Sequence, residues 1–258
     1  MSSQQKLKLI TNTQLRVIIV ENPFENWKAP LIPDLFQQTV NLKRLGYEGY
    51  YPKGFLPLDT GDFVATHHLI CEENEQGFSV IAGYRSLKLE TCNTYGLRFP
   101  GLAVLDKDKG VEKHQAAAKI VLDQIQKSGK SMSFGSGFTV HPKIRGDREM
   151  VAYLKDITRA LMINYPLENG IDEEMGLSVP KVKTDKFFSE IGYEFISLHG
   201  TALPPFKHAD IGNDEVYLIH RTGFTPYAYE ALKRHQSLLE NKIHLGLEQS
   251  DSSIRKIA

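Results

Sequence analysis

Apolar residues recur along this chain with two periods, 2 and 3.6, and the switches between them mark its elements. Residues 15–20 are a β-branched run ahead of Asn22-Pro23, which predicts a strand. Over 32–45, Leu35, Thr39, Leu42 and Leu45 recur at helical spacing, and Gly46 closes the segment. Residues 50–62 hold two prolines and two glycines and read as a loop. Residues 63–71 and 78–89 predict an antiparallel hairpin, with Ile81, Gly83, Arg85 and Leu87 on one face of its second strand. Residues 91–105 fit neither period.

An amphipathic helix is predicted over 109–127, with Val111, Ala117, Ala118, Val121, Leu122 and Ile125 as its stripe and Gly129 as its cap. A strand over 132–140 follows, with Gly135 and Gly137 on one face. The helix over 149–163 has the clearest stripe: Met150, Val151, Leu154, Ile157, Leu161 and Met162. Then come a strand (177–179), a helix (186–191), strands over 193–198 and 215–220, and a last helix (227–245) striped by Leu232, Leu238, Leu239 and Ile243. Residues 250–258 are polar and expected to fray. This order predicts an α/β (α+β) body over 1–225 and a C-terminal helix with its tail over 226–258.

Composition narrows the partners. The 258 residues are 41% hydrophobic and carry no formal net charge, so no electrostatic signal points to nucleic acid or an anionic membrane. Cys71 and Cys92 are too few for a disulfide framework and are expected to be buried hydrophobes. No apolar run approaches membrane-spanning length, so the expected location is the cytoplasm.

Three local motifs lead nowhere. Gly129-Lys130-Ser131 imitates a P-loop tail, yet it ends a helix and has Gln124 where the loop needs glycine. Phe134-Gly135-Ser136-Gly137 has no kinase companions. His67 and His68 are too close together for structural-zinc spacing, and no metal is expected.

Two other segments carry chemistry. Gly137 to Gly146 is a strand end feeding a basic turn of Lys143, Arg145 and Arg148 at a helix N-terminus, a setting that suits a phosphate. A basic surface loop capped by Asp147 explains the same residues equally well. The second segment is Lys186 to Glu194, a short helix with Phe187 and Phe188 that stops at Gly192.

In this order the two segments resemble the GNAT superfamily of N-acetyltransferases. Val140, Pro142, Arg145 and Gly146 match its Val-x-Pro-x-x-Arg-Gly junction, and Phe187, Phe188, Gly192 and Tyr193 match its later Phe-Tyr-x-x-x-Gly-Phe segment. The resemblance spans about residues 59–220. It implies a mixed, mostly antiparallel sheet with helices on both faces, and transfer of an acyl group from a pantetheine thioester to an amine.

The chain departs from that pattern where the family's pyrophosphate loop has glycines, carrying Arg148 and Met150 instead. It also has Phe188 where a tyrosine often protonates the leaving thiolate. The loop change is similar to the branch of acyl-homoserine-lactone and N-acyl amino acid synthases, which take acyl-acyl-carrier protein. That branch's Asp-x-x-Asp and Gly-x-x-Arg-Leu are matched by Asp59, Asp62, Gly83 and Arg85 with the neighbouring Leu87. Two carboxylates before one strand and a guanidinium on the next predict an ion-pair network beside the site. Of the branch's Glu-x-Ser-Arg only Ser136 is shared, beside Phe134 and Gly137.

The resemblance implies acyl-CoA or acyl-phosphopantetheine as co-substrate, a small-molecule amine as acceptor, and acyl-carrier protein as a candidate partner. Phe138, Thr139, Val140, Lys143, Arg145, Gly146 and Arg148 are the expected donor-binding residues. Two parallel strands should open beside 132–140 to admit the pantetheine arm. Arg85 joins the expected catalytic set with Glu90 and His141, while His67 and His68 are further candidates for the base. Alternatives are a lactone or N-acyl amino acid synthase, and a binder without turnover. The final helix either caps the sheet or forms a dimer contact.

Overall fold

The structure, a computed structural model, describes residues 15–48 and 58–246. Its strands are β1 (Leu15–Glu21), β2 (Thr66–Asn74), β3 (Gly77–Lys88), β4 (Met132–Val140), β5 (Glu173–Ser178), β6 (Tyr193–Phe195), β7 (Ser197–Leu198), β8 (Thr201–Ala202), β9 (Phe206–His208), β10 (Asp214–Arg221) and β11 (Ile243–Leu245). Nine of them form one sheet in the order β11-β1-β2-β3-β4-β5-β10-β6, with β9 added on β10; β7 and β8 pair separately. Among the described strands, only the pairs β1–β11 and β4–β5 run parallel. The mixed, mostly antiparallel sheet expected from the sequence is present.

Helices cover both faces. On one face, α1 (Ile32–Tyr47) lays Ile32, Leu35 and Leu42 over Ile18, Val20 and Leu69. Beside it, the Ala117, Leu122 and Ile125 stripe of α5 (Glu112–Ser128) covers Phe134, Met175 and Leu218. On the other face, α6 (Arg148–Asn169) buries Leu154, Ile157 and Leu161 against Ile19, Ile70, Tyr84 and Ile219. Burying such a side chain stabilises the fold by about 1.5–3 kcal/mol. Gly129 ends α5 in the left-handed conformation, as its spacing predicts. The smaller helices are α2 (Thr60–Val64), α3 (Leu89–Thr94), α4 (Pro100–Ala103), α7 (Thr184–Ser189), α8 (Pro226–Arg234) and α9 (Gln236–Glu240).

Several expectations need correction. Asp59 caps α2, so Phe63 and Val64 are helical and β2 begins at Thr66. A register shift at Ile70/Cys71 breaks the alternation of β3: Ile81 joins the core under α6, while Leu87 joins the one under α5. The strand expected at 177 starts at Glu173, because two glutamates hide its first half. The single helix expected over 227–245 breaks at His235, whose imidazole pairs with Asp156, and the chain then adds β11 to the sheet. Residues 50–57 of the expected loop and the 250–258 tail lie outside the described residues.

Candidate functional site

The two parallel central strands stay together only at one end. β4 and β5 pair from Met132/Glu173 to Gly135/Gly176. Beyond that point β5 continues to Ser178 alongside β10, while β4 continues to Val140 alongside β3. Among the described residues, the β4 edge over 136–140 therefore has no strand partner on the β5 side. Main-chain groups freed in this way need a partner, and an extended amide-bearing ligand can supply one. Residues 135–138 are half-buried, whereas Met132, Ser133 and Phe134 are buried.

Side chains hold this half of β4 in place of the lost ladder. Gly137, at φ 72°, forms a bulge opposite Tyr84, where the register with β3 shifts. Arg85 Nε donates to Ser136 Oγ at 2.9 Å. A Cβ on Gly137 would lie 3.2 Å from Lys43 Cε, whereas one on Gly135 would strike Glu174. The two glycines thus face opposite sides of the sheet, not the single face expected from alternation, because the bulge inserts a residue. Gly46 lets α1 reach Thr139, and Tyr47 hydrogen-bonds that residue. On the opposite face Phe138 stacks on Phe187, with centroids 5.4 Å apart.

The expected ion-pair network is assembled, with one member that the sequence pattern did not reveal. Arg85 grips Asp59 with both terminal nitrogens, at 2.7 and 2.8 Å, and Nη1 also reaches Asp62 at 2.7 Å. Asp59 and Asp62 accept each other's backbone N–H, a reciprocal cap that fixes α2. Lys43, from α1, pairs with Asp62. Burial depresses the Lys43 ammonium, and Asp62 works against that. Burial raises the Asp59 carboxyl, but the hydrogen bond and charge of Arg85 outweigh it and leave it low. Asp62 is fully buried, while the Asp59 side chain keeps 62% of its surface open. Lys43 was detectable: it falls on the buried stripe of α1 between Thr39 and Gly46, where a charge needs a partner.

The remaining sequence candidates fall in different places. Glu90 is exposed in the first turn of α3, next to the Lys88–Ser133 pair at the closed end of the strands, so it is removed from the opening. His141 caps its own turn, its Nδ1 accepting from the Lys143 N–H at 3.2 Å. In the neutral ring Nε2 then carries the proton, so His141 has no free lone pair to act as a base. His67 and His68 are buried, bonded to the Asp62 carbonyl and the Ser86 hydroxyl. Burial brings them down to about 4 and about 3.

Arg145 donates to the carbonyls of Val140 and Gly46, tying the end of β4 to α1. Lys143, Gly146 and Arg148 are exposed around the start of α6, where Asp147 caps Met150. Cys71 and Cys92 are buried thiols, and burial pushes Cys92 up to about 11.

Phe63, in the short helix that Asp59 caps, belongs to an aromatic rim. Trp27, Phe36 and Phe63 contact one another in series, and Phe24 lies nearby with 63% of its surface exposed. The Phe24 N–H donates to the Phe63 carbonyl at 2.8 Å.

No protein-family model matches the chain, and no curated protein matches it in sequence. Solved structures do match it in fold. MesI, a CoA-dependent acyl-homoserine lactone synthase, aligns with TM-score 0.50 and 15% identity over 86% of this chain and 95% of its own. FeeM, an N-acyl amino acid synthase from uncultured soil microbes, aligns with TM-score 0.48 and 15% identity over 88% and 99%. LasI, an acyl-homoserine lactone synthase, aligns with TM-score 0.49 and 13% identity over 91% and 97%. At these identities the likeness is one of fold.

Proposed function

We propose that this chain is an N-acyltransferase that moves an acyl group from a pantetheine thioester to the amine of a small molecule. The observation that carries the reading is the unpaired β4 edge from Ser136 to Val140. A pantetheine arm has two amides and can lie along that edge as an added strand. Phe138 and its partner Phe187 wall the opening, and Thr139 and Val140 line its outer end. Lys143, Gly146 and Arg148 surround the start of α6, whose positive dipole end suits the donor's phosphate. Arg145 serves by holding β4 in position.

The acceptor enters over Asp59, whose open carboxylate attracts an ammonium and whose aromatic rim accommodates an apolar body. Arg85 fixes that carboxylate in place. The ammonium first loses a proton to water. The amine nitrogen then attacks the thioester carbon, forming the C–N bond and an oxyanion that main-chain N–H groups of the open stretch stabilise. Collapse breaks the C–S bond, and the amine's second proton returns through water to the leaving thiolate. Phe188, which lacks a hydroxyl, takes no part in that transfer.

Arg148 and Met150 crowd the place where glycines would admit a diphosphate, which favours acyl-carrier protein over coenzyme A. A lactone or N-acyl amino acid synthase is the finer form of the same reading. Mass spectrometry after incubation with acyl-CoA or acyl-carrier-protein donors and a panel of amines is the test. An amide product is expected. Binding of donors without product would make the chain a binder instead. Thermal shift should show little stabilisation by free coenzyme A, and a large shift would overturn the carrier-protein preference.

A further inference from the structure

On the α6 side of the sheet, at the closed end of the β4/β5 opening, is a buried group that the acyl-transfer chemistry does not use. Arg221 is 1% exposed, the largest side chain among the described residues to be buried so completely. Its guanidinium lies over Phe224, with Cζ 4.1 Å from the ring centre. Glu174 and Tyr193 flank it, and burial together with the Glu174 charge raises the Tyr193 hydroxyl well above its ordinary value. Among the described residues, Nε and Nη2 of Arg221 have no hydrogen-bond partner. Glu174 Oε2 stops 3.8 Å from Nη2, outside hydrogen-bonding range.

The two unpartnered nitrogens form one edge of the guanidinium. Their N–H bonds run parallel and match the two oxygens of a carboxylate in the side-on bidentate pair. A buried donor left unsatisfied costs about 1–3 kcal/mol, and more when it is charged. Such an edge is stable when an anion occupies it. Glu174 does not supply full compensation: burial raises its carboxyl, against the pull of Arg221. The opening leads to this place. Gly135 and Gly176 are the last pair before the strands part. The Cβ that Gly135 lacks would meet Glu174 Oε1 at 2.5 Å and the Tyr193 hydroxyl at 3.9 Å. Glu174 and the Tyr193 hydroxyl therefore border the inner end of the opening, and the Arg221 guanidinium lies directly behind them.

We propose that the Nε/Nη2 edge of Arg221 binds a substrate carboxylate at the inner end of the β4/β5 opening. The carboxylate belongs either to the far end of the acyl group or to the acceptor, and the two sources are separable. The inference rests on acyl transfer only for the identity of the substrates, because binding is read without turnover.

The experiment is calorimetric titration of the full chain with two matched pairs of probes. One pair is the glutaryl and valeryl thioesters of N-acetylcysteamine, which differ in a terminal carboxylate. The other is leucine and leucinamide. In one of the pairs the carboxylate form should bind at least ~10-fold more tightly, since a site built around a hydrogen-bonding group rejects the analogue that lacks it. Arg221→Lys, which keeps the charge and loses the fork, should cut that preference to about threefold or less. Glu174→Gln should retain it. Equal binding within both pairs by the unaltered protein overturns the proposal even if the lysine variant fails to fold. So does a preference that survives Arg221→Lys unchanged. Absence of amide product with every donor would defeat the acyl-transfer reading while leaving this result to stand or fall by itself.

Discussion

Lys43 of α1 packs its aliphatic end directly over Gly137 of β4, where an added Cβ would lie 3.2 Å from Lys43 Cε. The glycine also carries a φ of 72°, which an L side chain adopts at a cost of about 1–2 kcal/mol. Gly137→Ala should therefore destabilise the chain by about 2 kcal/mol and lower N-acylation at least tenfold by displacing the bulge. Urea unfolding together with an amide-product assay checks both. Unchanged activity would show that the bulge does not shape the site.

Arg85 and Asp59 should separate stability from acceptor binding. Arg85→Met leaves fully buried Asp62 with Lys43 as its remaining ionic partner among the described residues. Breaking one side of such a buried network costs about 3–5 kcal/mol. The melting temperature should fall by about 10 °C. Asp59→Asn keeps a good helix cap, so stability should change by less than about 1 kcal/mol. The KM for the amine should rise at least severalfold in that variant, and an unchanged KM would remove Asp59 from the acceptor site.

Acid should weaken the fold through two buried histidines. Burial, aided by Lys43, holds His67 at about 4; burial holds His68 at about 3. The unfolded chain takes up these protons first, near 6.5. Stability from keeping both rings neutral is thus complete above about 6.5 and lost as pH falls towards 4 and 3. The limiting slope is about 2.7 kcal/mol per pH unit for two protons. Chemical unfolding at a series of pH values reads it, and His68→Gln should halve it.

Glu21 governs a lower window. Burial raises its carboxyl, but hydrogen bonds involving His244, Thr66 and Tyr165 and the charge of Lys88 outweigh it and bring it down to about 2. This contribution, on the order of 3 kcal/mol, is full above about 4.5 and disappears as pH falls through about 2. Glu21→Gln should remove it at neutral pH and flatten the acid limb of the unfolding curve below 4.5. An identical acid limb in the variant would contradict the assignment.

Much of the fold was legible because its elements obey simple periods. The α6 stripe from Met150 to Met162 and the cap at Gly129 needed no tertiary information. The Asp59–Asp62–Arg85 cluster was legible too, because a carboxylate pair before one strand and a guanidinium on the next become neighbours in a hairpin. Register could not be read where the backbone bulges: Ile81 and Gly137 each lie on the side that alternation denies them. Charge also misled. Glu173 and Glu174 masked the start of β5, although both are buried there. Arg221 ends β10 as an ordinary-looking basic residue, and its burial depends on Phe224, Tyr193 and Glu174 converging from three other segments. His141 looked like a base because its type is right; its turn spends the lone pair.

The short run Ile243–Leu245 closes the margin of β1, and His244 reaches Glu21 Oε1 from it at 3.2 Å. A chain truncated just before residue 243 would lay bare a ribbon of amide and carbonyl groups backed by Ile18 and Val20, a template for sticking to other chains. Fusions and affinity handles therefore belong beyond this run, since removing it would expose an edge prone to aggregation.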